Sequence, residues 1–136
     1  MIAYIELLSG HNVADIPINQ QHNLEELLIV VNKLRAEWSK PLTVTSGYRS
    51  LQDHLRIYAA KGISDRSKIP MQSKHLVGNA VDFADPDESL YAWAFANQAK
   101  LTEWGIWCEL GTKGWLHCQR VPYGSWVEGK SRFFKP

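Results

Sequence analysis

Apolar residues recur at helical spacing from Leu24 through Leu27, Leu28, Val31 and Leu34 to Trp38. This pattern predicts a helix with one buried face. Asn23 stands at the capping position, Glu25 and Glu26 fall in the first turn, and Pro41 closes the run. Residues 1–22 show no clear period, and Ile16-Pro17-Ile18-Asn19 reads as an extended lead-in. Leu42 and Val44 alternate with Thr43 and Thr45, which predicts a short strand ended by Gly47. Ser50 followed by Asp53 resembles a capping box for a second helix through Leu51, Leu55 and Tyr58 to Lys61, closed by Gly62.

Residues 63–72 are polar and read as a surface loop. Ala80 to Phe83 is a short buried strand, and Asp85-Pro86-Asp87 opens a third helix with Leu90, Trp93, Ala94 and Leu101 on its inner side. Two apolar runs, Gly105–Leu110 and Trp115–Gln119, flank Gly111-Thr112-Lys113-Gly114, which is a hairpin signal. The tail from Val121 is rich in turn residues, aromatics and positive charge, and is expected to wrap the surface. Helices and a small antiparallel sheet without β-α-β alternation indicate an α+β domain spanning residues 1–136, with about three helices.

Composition narrows the picture only a little. A chain of 136 residues is long enough for one real core. A net charge of +1 and the lack of a basic run give no reason to expect a nucleic-acid partner. Six tryptophans are many for this length, and part of that aromatic load is available to line a groove. The start, Met1–Leu8, has no cationic region and too short an apolar stretch for a signal peptide. No segment is apolar for long enough to span a membrane. Synthesis in the cytoplasm and a monomer are the expectations. Two cysteines do not make a disulfide framework.

The chemistry concentrates in Ser73-Lys74-His75-Leu76-Val77-Gly78-Asn79-Ala80-Val81-Asp82, which reads S-x-H-x-x-G-x-A-x-D. On a continuous helix His75 and Asp82 would lie about 10 Å apart along the axis, too far to share an ion comfortably. Gly78 lets the backbone turn, so that His75 sits in a loop and Asp82 projects from the following strand, opposite in direction to Val81 and Phe83. The best third ligand is His117 in Trp115-Leu116-His117-Cys118-Gln119. Two histidines and one carboxylate, with a fourth position open to water, form a catalytic zinc arrangement. The nitrogen-rich set argues against calcium.

These motifs, together with Ser46-Gly47-Tyr48-Arg49-Ser50, resemble the zinc D-alanyl-D-alanine carboxypeptidase and L-alanyl-D-glutamate endopeptidase family (peptidase M15-like), which includes bacterial cell-wall enzymes and phage endolysins. The resemblance runs from Thr43 to Gln119. It implies one zinc ion per chain, the fold shared by DD-peptidases and hedgehog signalling domains, and the stem peptide of bacterial peptidoglycan as substrate. It also implies that the protein reaches the cell wall after release or delivery, as a phage or prophage lysis enzyme would. The cleaved bond stays open between D-Ala-D-Ala trimming, L-Ala-D-Glu cleavage and cross-bridge cleavage.

Many members of that family carry a glutamate three residues before the last ligand; here Gly114 occupies that place. Glu109, eight residues before His117, is the candidate base. A three- or five-residue hairpin loop would set Glu109 opposite His117 on one face, and a four-residue loop would turn it away. The first register is expected, and it also sets Cys108 against Cys118 on the opposite face, as buried thiols, the expectation for a protein made in the cytoplasm, or as a cross-strand disulfide. Arg49 is expected to anchor substrate and stabilise an oxyanion, its fixed charge and planar fork suiting both tasks. Ser73 resembles a substrate-contacting serine, with a local turn cap as its other reading. Tyr48 and Trp115 are expected to wall the cleft. His11, His22 and His54 receive no role, His54 being read as part of a solvated helix face. The competing class is a non-catalytic, zinc-stabilised binding or structural module of the same fold, since fold does not dictate function.

Overall fold

The computed structural model describes all 136 residues. Five α-helices accompany a five-stranded sheet: α1 (Tyr4–Leu7), α2 (Ile18–Trp38), β1 (Val44–Ser46), α3 (Leu51–Ala60), β2 (Ala80–Asp85), α4 (Ser89–Ala96), α5 (Gln98–Trp104), β3 (Trp107–Glu109), β4 (Gly114–Gln119) and β5 (Phe133–Phe134). The strand order is β1-β2-β4-β3-β5. The first four strands pair antiparallel, and β5 joins β3 in parallel. The fold is α+β, but its sheet is mixed rather than purely antiparallel, because the tail does more than cover the surface: it returns to add the edge strand.

Helix α2 buries Leu24, Leu27, Val31 and Leu34, the face its periodicity marks. It begins earlier than Asn23. Pro17 sits at its cap and accepts amide hydrogen bonds from Gln20 and Gln21 at 2.9 and 3.0 Å, and a proline there sacrifices no needed donor. Asn23 lies inside the helix, where its amide donates to the Val77 carbonyl at 2.8 Å and its oxygen accepts from Arg120 at 3.1 Å. It therefore ties α2 to the loop that carries His75.

The expected third helix is two. Asn97 leaves helical geometry at φ −118°, ψ 41°, and its side-chain amide donates to the Trp93 carbonyl at 2.7 Å. Such local side-chain bonding competes with the helix ladder. The start of α4 follows expectation: buried Asp85 accepts from the Leu90 and Tyr91 amides at 3.0 and 2.8 Å. One core cluster of 20 buried residues gathers α2, α4 and α5 against one side of the sheet through Val81, Phe83, Leu116, Cys108, Cys118 and Phe133. The opposite side of the same strands is left for chemistry. No helix is long and apolar enough to cross a membrane.

Candidate metal centre and cleft

Strand register builds the centre. Asp82 of β2 pairs directly with His117 of β4. The pairing of Cys108 with Cys118 puts β3 in the register that sets Glu109 beside His117, and Glu109 in turn pairs with Phe134 of β5. Asp82, His117, Glu109 and Phe134 thus form one row across four strands. Their neighbours along each strand point into the core, as period-2 alternation requires. Cys108 and Cys118 are fully buried free thiols with sulfurs 3.9 Å apart.

His75 arrives from a short 3-10 turn, Lys74–Val77, ended by Gly78 at φ +79°. A Cβ at Gly78 would stand 2.8 Å from the Gln20 carbonyl oxygen and 2.9 Å from Leu24 Cγ. Both the left-handed backbone and the space therefore demand glycine. Gly47 is required for a different reason: a Cβ there would fall on the Leu7 backbone. That close approach sets the Gly47 carbonyl 2.8 Å from His75 Nδ1.

Hydrogen-bond accounting then fixes both tautomers. A carbonyl only accepts, so His75 Nδ1 carries the hydrogen and Nε2 presents a lone pair, 3.2 Å from Asp82 Oδ1. Gln119 donates from Nε2 to the Val121 carbonyl at 2.8 Å, so its oxygen faces His117 Nε2 at 2.8 Å. His117 Nε2 must therefore donate, leaving the Nδ1 lone pair 2.8 Å from the same Asp82 oxygen. Two nitrogen lone pairs and a carboxylate oxygen converge in a buried pocket, their donor atoms all within 4.8 Å of one another. Such a cluster demands positive charge between its members. Neutral imidazoles oriented by an outer acceptor, beside a carboxylate, are the donor set and outer support that zinc takes. The residues present fit the ion.

The titration of these groups follows the same contacts. With a proton in place of a cation, carried on a ring nitrogen toward Asp82, burial alone would still raise the carboxyl, but the bonds and charge from His117 and His75 outweigh it and hold Asp82 well below the usual carboxylate range. In that state burial dominates at His75 and lowers it, while at His117 burial is overcome by Asp82, Gln119 and Glu109, and the ring is raised. Half-buried Glu109 is pushed up, by desolvation first, with Asp82 adding to the rise and His117 opposing it.

Arg49 reaches the centre from the turn after β1. Its Nε donates to Ser46 Oγ at 3.0 Å, and Nη2 lies 3.7 Å from Asp82 Oδ2. Nη1 stands 3.4 Å from His54 Nδ1, while His54 Nε2 donates to the Pro70 carbonyl at 3.0 Å. His54 is therefore not on a solvated face. It is fully buried, whereas Leu51 is 45% exposed, and the side of α3 turned to the cleft carries His54 and, one turn on, half-buried Tyr58. Apolar periodicity pointed to Leu51; the polar residue at position 54 was the one buried.

The cleft in front of the centre has a volume of about 970 Å³. Arg49, Ser73, Glu109 and Trp115 all line it with the three convergent ligands. The Ser73 side chain makes no cap hydrogen bond to its turn, and Trp115 is 40% exposed. Tyr48 does not line the cleft. Its amide bonds to the Leu7 carbonyl at 2.8 Å, and its ring is buried in the core with the His11 ring edge-on at 5.2 Å. Sequence reading also passed over Gln119, Tyr123 and Phe134, which line the same space. Gln119 was findable, since it lies two residues after His117 on one strand face.

A family model described as peptidase M15 matches residues 4–119. Neither a curated protein nor a solved structure matches the chain.

Proposed function

The chain belongs to the peptidase M15 family, and from that premise we propose that it is a zinc-dependent peptidase hydrolysing the stem peptides of bacterial peptidoglycan, as a D-Ala-D-Ala carboxypeptidase or an endopeptidase. The observation that carries this reading is the convergence of His75 Nε2, His117 Nδ1 and Asp82 Oδ1 on one buried point, each histidine oriented by an outer acceptor. His75, Asp82 and His117 would hold the zinc, which would supply Lewis acidity toward a peptide carbonyl and a water molecule.

The chain's own groups do the rest. Glu109, its basicity raised by partial burial, takes the proton of the attacking water and returns it to the departing amine. Arg49, held by Ser46 and His54, places fixed positive charge where the carbonyl oxygen gains negative charge. Ser73 offers an unengaged hydroxyl to the substrate backbone, and Trp115 supplies an apolar wall. The protein acts as a monomer, on the cell wall, after release or delivery, as a phage lysis enzyme does.

One observation favours a second reading. Gly114 stands three residues before His117, so the glutamate usual at that position is missing, which suits a zinc-stabilised binding module without turnover. Mass spectrometry of peptidoglycan incubated with the zinc-loaded protein, beside a chelated control, separates the two. Chelator-sensitive release of defined peptide fragments supports the peptidase, and the fragment masses name the bond. Retention of one zinc without release from several wall chemotypes favours the module.

A further inference from the structure

The row Asp82–His117–Glu109–Phe134 crosses four strands in three steps of about 4.8 Å, or roughly 14 Å. An extended peptide advances ~3.3 Å per residue, so about four residues fit along it. The reactive centre occupies the β2–β4 end of this row and the base its middle. The row then continues beyond the base to the β5 edge. There the Phe134 ring lies 6.3 Å from His117 and stacks on Tyr123, with centroids 5.2 Å apart and planes 14° from parallel.

That stacked pair borders two spaces. Tyr123 and Phe134 line both the main cleft and a second pocket of about 300 Å³ on its far side. The second pocket carries Trp126, Lys130 and Lys135 and no acidic residue. Neither lysine is engaged in an ion pair. Its floor is firm, because the Trp126 indole donates to the Ser131 carbonyl at 3.0 Å and meets the Trp107 ring edge-on at 5.1 Å. An aromatic entrance leading to two unpaired ammonium groups suits an anionic, partly apolar chain that has already passed the reactive centre.

We propose that this edge pocket, entered over Tyr123 and Phe134, is a second substrate subsite that holds a carboxylate-bearing part of the stem peptide beyond the cleaved bond. The inference rests on the reading of the cleft as a stem-peptide hydrolase. It narrows that reading to substrates longer than a dipeptide, with residues bound on both sides of the bond. Tyr123 and Phe134 select for length, and Lys130 and Lys135 for charge.

The test compares kcat/KM on a stem pentapeptide, on the same peptide with its carboxylates amidated, and on the dipeptide that spans the bond cut. The wild-type protein should prefer the acidic pentapeptide over either by at least about tenfold, the scale of one aromatic contact or one charge-assisted hydrogen bond. Tyr123→Ala should cut the preference for length by about tenfold, and Tyr123→Phe should keep it because the stack survives. Lys130→Gln combined with Lys135→Gln should erase the preference for acid over amide. Preferences that persist unchanged in Tyr123→Ala and in the double lysine variant would overturn the subsite. If the wild-type protein cut none of the three, the peptidase reading would fail. Calorimetric titration of the acidic pentapeptide into the wild-type and Tyr123→Ala proteins would then decide the subsite on its own. Weaker binding to the variant supports it; equal binding, or none to either, overturns it.

Discussion

The two ends of the cleft are held in different ways. At the β2–β4 end the three convergent ligands are buried and Arg49 is half-buried, and partners orient these side chains: His75 by the Gly47 carbonyl, His117 by Gln119, Arg49 by Ser46 and His54. At the β5 end the aromatics and lysines are largely exposed and rest on ring stacking and a two-residue strand. The difference follows the demands on each. Groups that must meet an ion and a reacting carbonyl within fractions of an ångström need locked rotamers and outer support. A flank that only guides a flexible chain needs area and charge, and tolerates looser placement. Substitutions at the first end should therefore cost turnover out of proportion to stability, and those at the second should alter substrate choice.

The largest break expected is Glu109→Gln. Removing a positioned general base lowers turnover by about 10²–10⁴-fold, and the variant should retain its zinc because Glu109 is not among the convergent ligands. The pH profile sharpens this. The base works ionised, so activity should fall with decreasing pH as Glu109 takes up a proton, and the residual activity of Glu109→Gln should lack that acid limb. An acid limb unchanged in Glu109→Gln would contradict the assignment.

Arg49→Lys comes next. It keeps the charge but loses the fork that spans Ser46, His54 and the cleft, and kcat should drop by roughly 10²-fold, the scale of one lost oxyanion donor. Smaller again is His54→Ala, which leaves an Arg49 N–H without its acceptor; kcat/KM should fall about tenfold, a loss near 1.4 kcal/mol. His54→Asn restores an acceptor and should recover most of that loss.

His54 also makes a stability prediction. Burial lowers its pKa, so the folded state holds it neutral while the unfolded chain protonates near the ordinary value of about 6.5. Stability should therefore be full above that pH and decline as pH falls through it. Urea titrations should show a flatter acid decline in His54→Asn. Smallest in catalytic consequence is Gly78→Ala. The left-handed backbone and the close approach of Gln20 and Leu24 should cost about 1–3 kcal/mol of stability, read as a lowered Tm, with the zinc site intact in the folded fraction.

Much of the buried end was legible in the sequence, because its constraints are local. Spacing around Gly78 marked the His75 turn and the Asp82 strand, and a hairpin with period-2 alternation carried His117, Glu109 and the two thiols into one register. The long apolar period of α2 was equally plain. What escaped depends on contacts distant along the chain. Tyr48 sits in the middle of a motif but is pulled into the core by the Leu7 carbonyl. His54 is a polar residue fully buried by partners at Arg49 and Pro70, and apolar periodicity passes over such residues. Strand β5 has two residues, too few to show any period, and exists only because β3 offers an edge. The start of α2 was displaced because Asn23, a good cap in isolation, serves instead as a bridge to Val77 and Arg120.

The central claim is that His75, Asp82 and His117 together hold one metal ion, and metal analysis of the purified protein tests it most directly. Wild-type protein exposed to zinc and then dialysed should carry one zinc per chain, and His75→Ala, folded by circular dichroism, should carry none. Full zinc in His75→Ala, or none in the folded wild-type protein, would contradict the account.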